Sequence, residues 1–119
     1  MEMKPRFART KTRNKYGAKK TQIGDITFAS KKEANRWMEL QLLERAGEIT
    51  NLRRQVKIEL MGQHRPLYTR TGRKMRFTAD FAYIEDGVEV LEDCKGYATR
   101  DYEVRVAVVR AMGLEVRET

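Results

Sequence analysis

The sequence predicts a small α/β domain whose elements follow the order helix, strand, strand, strand, helix, strand. Two observations lead to this prediction. Alternating apolar and polar residues indicate strands, and two of these, at residues 75–83 and 88–95, flank a turn. Apolar residues at helical spacing follow Ser30 and Thr99, which belong to the residue types that favour the N-cap position.

The composition is that of a small globular protein. The chain has 119 residues, which is enough for one domain with a single modest core. Charged residues make up 35% and apolar residues 40%, which disfavours a disordered chain. We see no apolar run of membrane-spanning length and no signal-peptide core, so we expect no membrane partner. A single cysteine cannot form an internal disulfide, and we therefore expect residence in the cytoplasm.

The predicted first helix begins after Ser30, and Glu33 would complete a capping box with that residue. Apolar residues then recur along one side, and Gly47 suits the position just beyond the last helical turn. Residues 21–29 are predicted to form a short extended element or a hairpin around Gly24. Glu33 thus has a structural explanation that requires no function.

The first strand is predicted at residues 53–60, where apolar residues alternate with polar ones such as Gln55. Residues 61–74 contain Gly and Pro breakers and are predicted to form a loop or the tip of a long hairpin. This stretch interleaves basic residues with Tyr68, a pattern that can track a nucleic-acid backbone and stack on a base. His64 is the only histidine, and with one distant cysteine it cannot build a zinc site, so we expect it at the surface.

The second and third strands are predicted to form a hairpin with an Asp-Gly turn at residues 86–87. Successive side chains alternate in direction, so Cys94 should face away from Asp93 and Lys95 and form a packed thiol. After the hairpin, a second helix is predicted to end at Gly113, with a closing strand over Leu114, Glu115 and Val116. The residues predicted to share the apolar face of the second strand are Met75, Phe77, Ala79, Phe81 and Tyr83.

Two carboxylates occur inside this hairpin. Asp80 interrupts the apolar second strand, and Asp93 shares one face of the third strand with Lys95. A carboxylate in a strand interior loses hydration unless another group compensates for it. Two interpretations follow: the acids bind a hard divalent cation and a water that it activates, or they form a structural Asp–Lys pair on one face of the sheet.

Basic residues are concentrated on both sides of the acidic hairpin. Residues 1–20 carry eight Lys or Arg and one Glu, and residues 51–76 again carry eight and one. Residues 80–93 carry six acids and no base, although the net charge of the chain is +8. This distribution favours a cation site that receives a polyanion such as DNA. The first twenty residues fit a solvated tail as well as a DNA-binding arm.

The spacing of Asp80 and the run Asp93-Cys94-Lys95 resembles the signature of the PD-(D/E)XK nuclease superfamily, an acid on one strand followed by acid-x-Lys on the next. Over about residues 14–118 the chain resembles a small, phage-associated branch of that superfamily. Ala79 stands where the name-giving proline is expected, and Arg105 where this branch would have lysine. Further matching segments are Ser30 to Glu33, Gly47 to Val56, Thr78 to Tyr83, and Lys95-Gly96 followed by Thr99 and Tyr102.

The resemblance implies a restriction-endonuclease-like α-β-β-β-α-β core, in which helices flank a central mixed sheet. A basic arm at residues 1–20 would precede a single nuclease-like domain at residues 21–119. It also implies that Asp80 and Asp93 bind Mg²⁺, for which Mn²⁺ can substitute, together with the backbone carbonyl of Cys94. Lys95 would then position the attacking water or stabilise developing negative charge.

Further site residues follow from the same resemblance. Glu33 would reach the metal site, as an alternative to its capping role. Gln55 would orient a water or a phosphate, or else be a plain surface residue. Arg105 would contact phosphate, pair with a catalytic carboxylate, or simply be exposed on its helix. The remaining residues expected to bind DNA are Lys11, Arg13, Lys15, Lys19 and Lys20 in the arm, and Arg70, Arg73 and Lys74 in the loop.

The predicted function is that of a metal-dependent DNA endonuclease. The chain has no obvious base-reading module, so branched or junction DNA is the expected substrate, in phage DNA processing inside a bacterial host. The resemblance allows a homodimer, which would pair two sites on two strands. The alternatives are an inactive DNA-binding accessory protein with the same fold and a basic RNA-binding domain.

Overall fold

The computed structural model describes residues 20–94 and 98–119. Within these ranges the protein is mixed α/β, as predicted, and an initial hairpin precedes the expected order of helix, three strands, helix and strand. The elements are β1 (Thr21–Ile23), β2 (Ile26–Phe28), α1 (Lys31–Arg45), β3 (Thr50–Glu59), β4 (Arg76–Glu85), β5 (Val88–Asp93), α2 (Arg100–Ala111) and β6 (Glu115–Glu118). No helix in these ranges has the length and apolar character needed to cross a membrane.

The chain divides into two compact units, one ending at Arg36 and the other comprising Trp37–Thr119. The described part of the first unit contains the antiparallel hairpin of β1 and β2, whose turn holds Gly24 at φ 59°. The hydroxyl of Ser30 accepts a hydrogen bond from the backbone N–H of Glu33 at 3.1 Å. The predicted hairpin and the predicted N-cap of α1 are therefore both present.

The second unit contains a four-stranded mixed sheet in the order β3-β4-β5-β6. The first three strands pair antiparallel, and β6 pairs parallel to β5. A parallel neighbour requires a crossover connection, and α2 supplies it between these two strands. The predicted closing strand at residues 114–116 is observed slightly later, at Glu115–Glu118.

The main core of the second unit lies between this sheet and α2. Tyr102, Val106 and Val109 form the buried stripe of the helix, and the ring of Tyr102 lies 6.1 Å from that of Phe77. Thr99 caps α2, as predicted, by accepting a hydrogen bond from the Tyr102 N–H at 3.1 Å. The other buried members of this cluster are Leu60, Ala79, Ala82, Leu91 and Val116.

The alternation predicted for the second strand does not continue through β4. Phe77 and Ala79 belong to the cluster beneath α2, but the next member of β4 in that cluster is Ala82. Phe81 instead stacks on Trp37, with ring centroids 5.8 Å apart. The prediction that Phe81 and Tyr83 share the face of Phe77 is therefore wrong, because the strand changes face after Ala79 and is buried on both sides beyond it.

The change of face occurs at Gln55 in β3 and Asp80 in β4. These two residues lie opposite each other, because the residues before and after each of them pair in register. Gln55 has φ 51°, in the left-handed region that non-glycine residues seldom adopt. Its position in the middle of β3 lets Val56 pack against the α2 cluster while Arg54 lies over the Trp37 ring at 5.7 Å. The candidate acid Asp80 therefore lies at an irregularity of the sheet.

The left-handed conformation of Gln55 predicts an inverted residue preference. In an ordinary strand, a protein with valine is more stable than the same protein with glycine, by up to about 1 kcal/mol. At position 55 we expect the reverse: the Gln55→Gly variant should be more stable than the Gln55→Val variant, because a β-branched residue at positive φ costs about 1–2 kcal/mol. Urea denaturation would measure both free energies of unfolding. Lys57 is exposed in the same strand, and there the valine variant should be more stable than the glycine variant. The same order of stability at both positions would contradict the left-handed conformation of Gln55.

Candidate functional site

Asp80 is held against the end of β5 by a hydrogen bond. Its Oδ2 atom accepts the backbone N–H of Cys94 at 2.8 Å. The register of β4 and β5 ends with Phe81 opposite Glu92, so Asp80 and Asp93 each lie one residue beyond the last pair. The hydrogen bond from the Cys94 backbone to Asp80 brings both predicted acids to the same end of the hairpin.

Asp93 has an acidic neighbour on the adjacent parallel strand. Glu118 of β6 is its register partner, and Tyr102 of α2 donates a hydrogen bond to Glu118 Oε2 at 2.8 Å. Burial, the hydrogen bond to Glu118 and the charge of Asp93 raise the pKa of the Tyr102 hydroxyl above its usual 10.0. The protonated hydroxyl of Tyr102 therefore binds Glu118 in the neighbourhood of the Asp93 carboxylate.

The donor set suits a hard cation of the Mg²⁺ type. Asp93 is 3% exposed and Asp80 is half-buried, so both carboxylates are largely withdrawn from water. Among the described residues there is no group of three or more His, Cys, Asp or Glu side chains placed to hold a metal ion. Mg²⁺ does not require one, because proteins commonly bind it through one or two carboxylates, with waters and substrate phosphates completing the shell. Two aspartates at the same end of the hairpin and nearby backbone carbonyls fit this requirement.

Some of the predicted site residues lie elsewhere or outside the described ranges. Cys94 points its thiol towards Thr119, with Sγ 3.3 Å from Oγ1, and its orientation away from Asp93 and Lys95 stays a prediction. Glu33 is buried in the first unit, and its role in a metal site stays a prediction. The residues outside the described ranges are Lys95 and the arm residues Lys11, Arg13, Lys15 and Lys19, while Lys20 is described and exposed.

Gln55 and Arg105 have different positions relative to the two acids. Gln55 is exposed and lies opposite Asp80, as a site residue on the neighbouring strand would. Arg105 forms an ion pair with Asp101 at 2.9 Å and donates to the backbone carbonyl of Arg76 at 2.6 Å. These contacts tie Arg105 to its own helix and to the start of β4.

The predicted DNA-binding residues of the loop are at the surface. Arg70, Arg73 and Lys74 are all exposed in the segment between β3 and β4. Lys74 Nζ lies 3.5 Å from Glu59 Oε2, an exposed pair that contributes little to stability. These cations are therefore available to a polyanion.

Sequence reasoning missed the contact between Tyr102 and Glu118. No hydrogen-bond partner is predicted for Tyr102 from the sequence, and no role is predicted for Glu118. The available signal was a hydroxyl in a stripe of valines, because a buried tyrosine usually needs a hydrogen-bond partner. The identity of that partner depends on the parallel pairing of β6 with β5, which the sequence does not reveal.

A second buried carboxylate lies on the opposite face of the sheet. Glu92 is fully buried and accepts hydrogen bonds from the Tyr83 hydroxyl at 2.6 Å and the Thr119 hydroxyl at 3.3 Å. Arg117 extends this network to Glu85 at 2.7 Å, and that hydrogen bond, with a second one to Glu115, raises the pKa of its guanidinium. These partners satisfy the hydrogen-bonding capacity of the buried Glu92 carboxylate.

A model for a family described as a protein of unknown function (DUF1064) matches residues 13–119. The chain belongs to the DUF1064 family. The matched range includes both aspartates, Tyr102 and Glu118, so the candidate site is part of the family's domain. No curated protein and no solved structure matched the chain.

The raised pKa of Tyr102 predicts a loss of stability at alkaline pH. In the unfolded chain this hydroxyl titrates near 10.0, whereas in the folded protein it holds its proton to higher pH. Its stabilising contribution is therefore complete below pH 10.0 and is lost as the pH rises above that value. We expect Tyr102→Phe to cost about 1–2 kcal/mol at neutral pH and progressively less above pH 10.

Chemical denaturation of both proteins across this pH range would measure the difference in unfolding free energy. Tyr68→Phe, which removes an exposed hydroxyl, controls for the substitution itself. A difference that stays constant above pH 10 would contradict the hydrogen-bonded role of Tyr102.

Proposed function

We propose that the protein is a Mg²⁺-dependent DNA endonuclease with a PD-(D/E)XK-type site. The observation that carries this proposal is the hydrogen bond that fixes Asp80 on the backbone N–H of Cys94, at the end of the β4–β5 hairpin where Asp93 also lies. An acid on each of two paired strands is the arrangement that the signature requires. The order α1-β3-β4-β5-α2-β6 and the mixed sheet support a restriction-endonuclease-like core.

In this proposal Asp80, Asp93 and the backbone carbonyl of Cys94 hold the metal ion. Bound Mg²⁺ would supply a water of lowered pKa and neutralise charge on the phosphate under attack. Lys95 follows directly in sequence and would position that water or stabilise developing charge. Tyr102, by hydrogen bonding to Glu118, would keep the register partner of Asp93 in place beside the site.

The charge distribution supports DNA as the substrate. Cations of the first twenty residues and of the segment between β3 and β4 would neutralise phosphates, while Gln55 would orient a water or a phosphate near Asp80. We propose branched or junction DNA, cut during phage DNA processing in the cytoplasm of a bacterial host. A homodimer would place two sites on two strands.

Cleavage of labelled duplex, single-stranded, flap, fork and four-way-junction DNA tests the proposal. We expect cutting with Mg²⁺ or Mn²⁺ and none with EDTA. Asp93→Asn and Lys95→Ala should each lower the rate by more than about 100-fold, because loss of even an outer-shell partner of a metal site commonly costs 10- to 100-fold. Binding to the same DNA should persist in a gel shift.

Asp86→Asn is the matched control. Asp86 is an exposed acid in the turn of the same hairpin, at φ 52°, a conformation that asparagine tolerates. Its cleavage rate should equal that of the unmodified protein. Metal-dependent cutting at full rate in Asp93→Asn would refute the assignment. Salt-sensitive DNA binding without any cutting would favour an accessory DNA-binding protein, and preferential binding of RNA would favour an RNA-binding domain.

A further inference from the structure

The segment of residues 61–74, which we call the basic segment, is an ordered double turn between β3 and β4. Leu67 anchors it: its N–H donates to the carbonyl of Leu60 at 2.8 Å, and its carbonyl accepts the N–H of Met75 at 2.9 Å. Its side chain packs against the α2 cluster. The segment is thus fixed to the core by its middle, with one turn on each side of the anchor.

The two turns differ in what they present. The first holds Met61 opposite Pro66, and residues 62–68 line an open depression at the surface. The second closes through the Thr69 N–H, which donates to the Arg73 carbonyl at 2.7 Å. Tyr68 lies between the two turns, lines the depression and is 52% exposed. A large aromatic ring is therefore held at the surface by backbone on both sides.

The charged side chains of the basic segment are all positive. The segment contains Arg65, Arg70, Arg73 and Lys74 and no Asp or Glu. Lys74 has Glu59 as a partner at 3.5 Å, whereas the three arginines have no carboxylate within ion-pair distance among the described residues. Such a surface fits a polyanion, whose phosphates would bind to the three arginines.

We infer that the basic segment binds an unpaired nucleotide of a nucleic-acid strand, with its base on the Tyr68 ring and the neighbouring phosphates on Arg65, Arg70 and Arg73. A base inside a duplex has both faces covered by its neighbours, so an exposed ring can stack only on a base that is unpaired or terminal. The surface would therefore bind single-stranded regions in preference to the interior of a duplex. This inference deepens the proposed function by naming the substrate form, namely DNA with a single-stranded portion such as a flap or a fork.

Fluorescence anisotropy of labelled oligonucleotides in EDTA would test the inference without any cleavage. The probes are a single-stranded 20-mer of DNA, the same sequence in RNA, the DNA duplex, and a strand whose central nucleotides are abasic. Tyr68→Ala should weaken binding of the intact single strands by about 5- to 150-fold, because stacking on one aromatic contributes about 1–3 kcal/mol per base. Binding of the duplex and of the abasic strand should change by less than about twofold. The single strand, DNA or RNA, that the protein binds with the higher affinity identifies the source of the nucleotide.

Two variants separate stacking from charge. Tyr68→Phe keeps the ring and should bind like the unmodified protein. Arg73→Gln should weaken binding of all probes alike and lower the slope of log Kd against log salt by about one. Thermal unfolding of Tyr68→Ala should match that of the unmodified protein, because its side chain is half exposed.

Equal weakening of duplex and single strands by Tyr68→Ala, or no weakening at all, would overturn the inference. The outcome is independent of the nuclease proposal, since binding is measured without metal. A protein that cleaves DNA but shows no Tyr68-dependent binding of single strands would refute this inference alone.

Discussion

The candidate site depends on one hydrogen bond, from the backbone N–H of Cys94 to the carboxylate of Asp80. Regular pairing of β4 with β5 ends one residue before the two acids. A side-chain acceptor then takes the place of a backbone carbonyl and keeps the end of β5 beside β4. Asp93 lies beside its register partner Glu118 on β6, whose carboxylate accepts the Tyr102 hydroxyl. Close carboxylates in a largely buried position are costly unless a cation or a proton donor accompanies them.

Interactions between near neighbours in the chain could be predicted from the sequence. The caps at Ser30 and Thr99 each join residues three apart, and the hairpin turn at Asp86-Gly87 depends on the backbone preference of two adjacent residues. The location of Asp80 and Asp93 at the same end of the hairpin follows from the same logic, because a short turn determines the register of its two strands. These local rules account for the order of the elements.

Features that depend on long-range packing could not be predicted. Glutamine has no special tendency towards positive φ, so nothing at Gln55 signals the change of face in β3 and β4. That change arises because α2 covers one side of the sheet near Phe77, while Trp37 covers Phe81 on the other. The partnership of Tyr102 with Glu118 likewise needs a parallel strand that joins the sheet after a helical crossover. Both irregular features occur beside the acids, where function commonly overrides local preference.

Mn²⁺ titration followed by electron paramagnetic resonance tests the central claim most directly, because it detects the ion at the two acids without requiring a substrate. The unmodified protein should bind at least one Mn²⁺, competed by Mg²⁺, and both Asp80→Asn and Asp93→Asn should abolish that binding. Asp86→Asn, in the turn of the same hairpin, should bind as the unmodified protein does. Equal Mn²⁺ binding by all four proteins, or by none of them, would contradict a metal site built on Asp80 and Asp93.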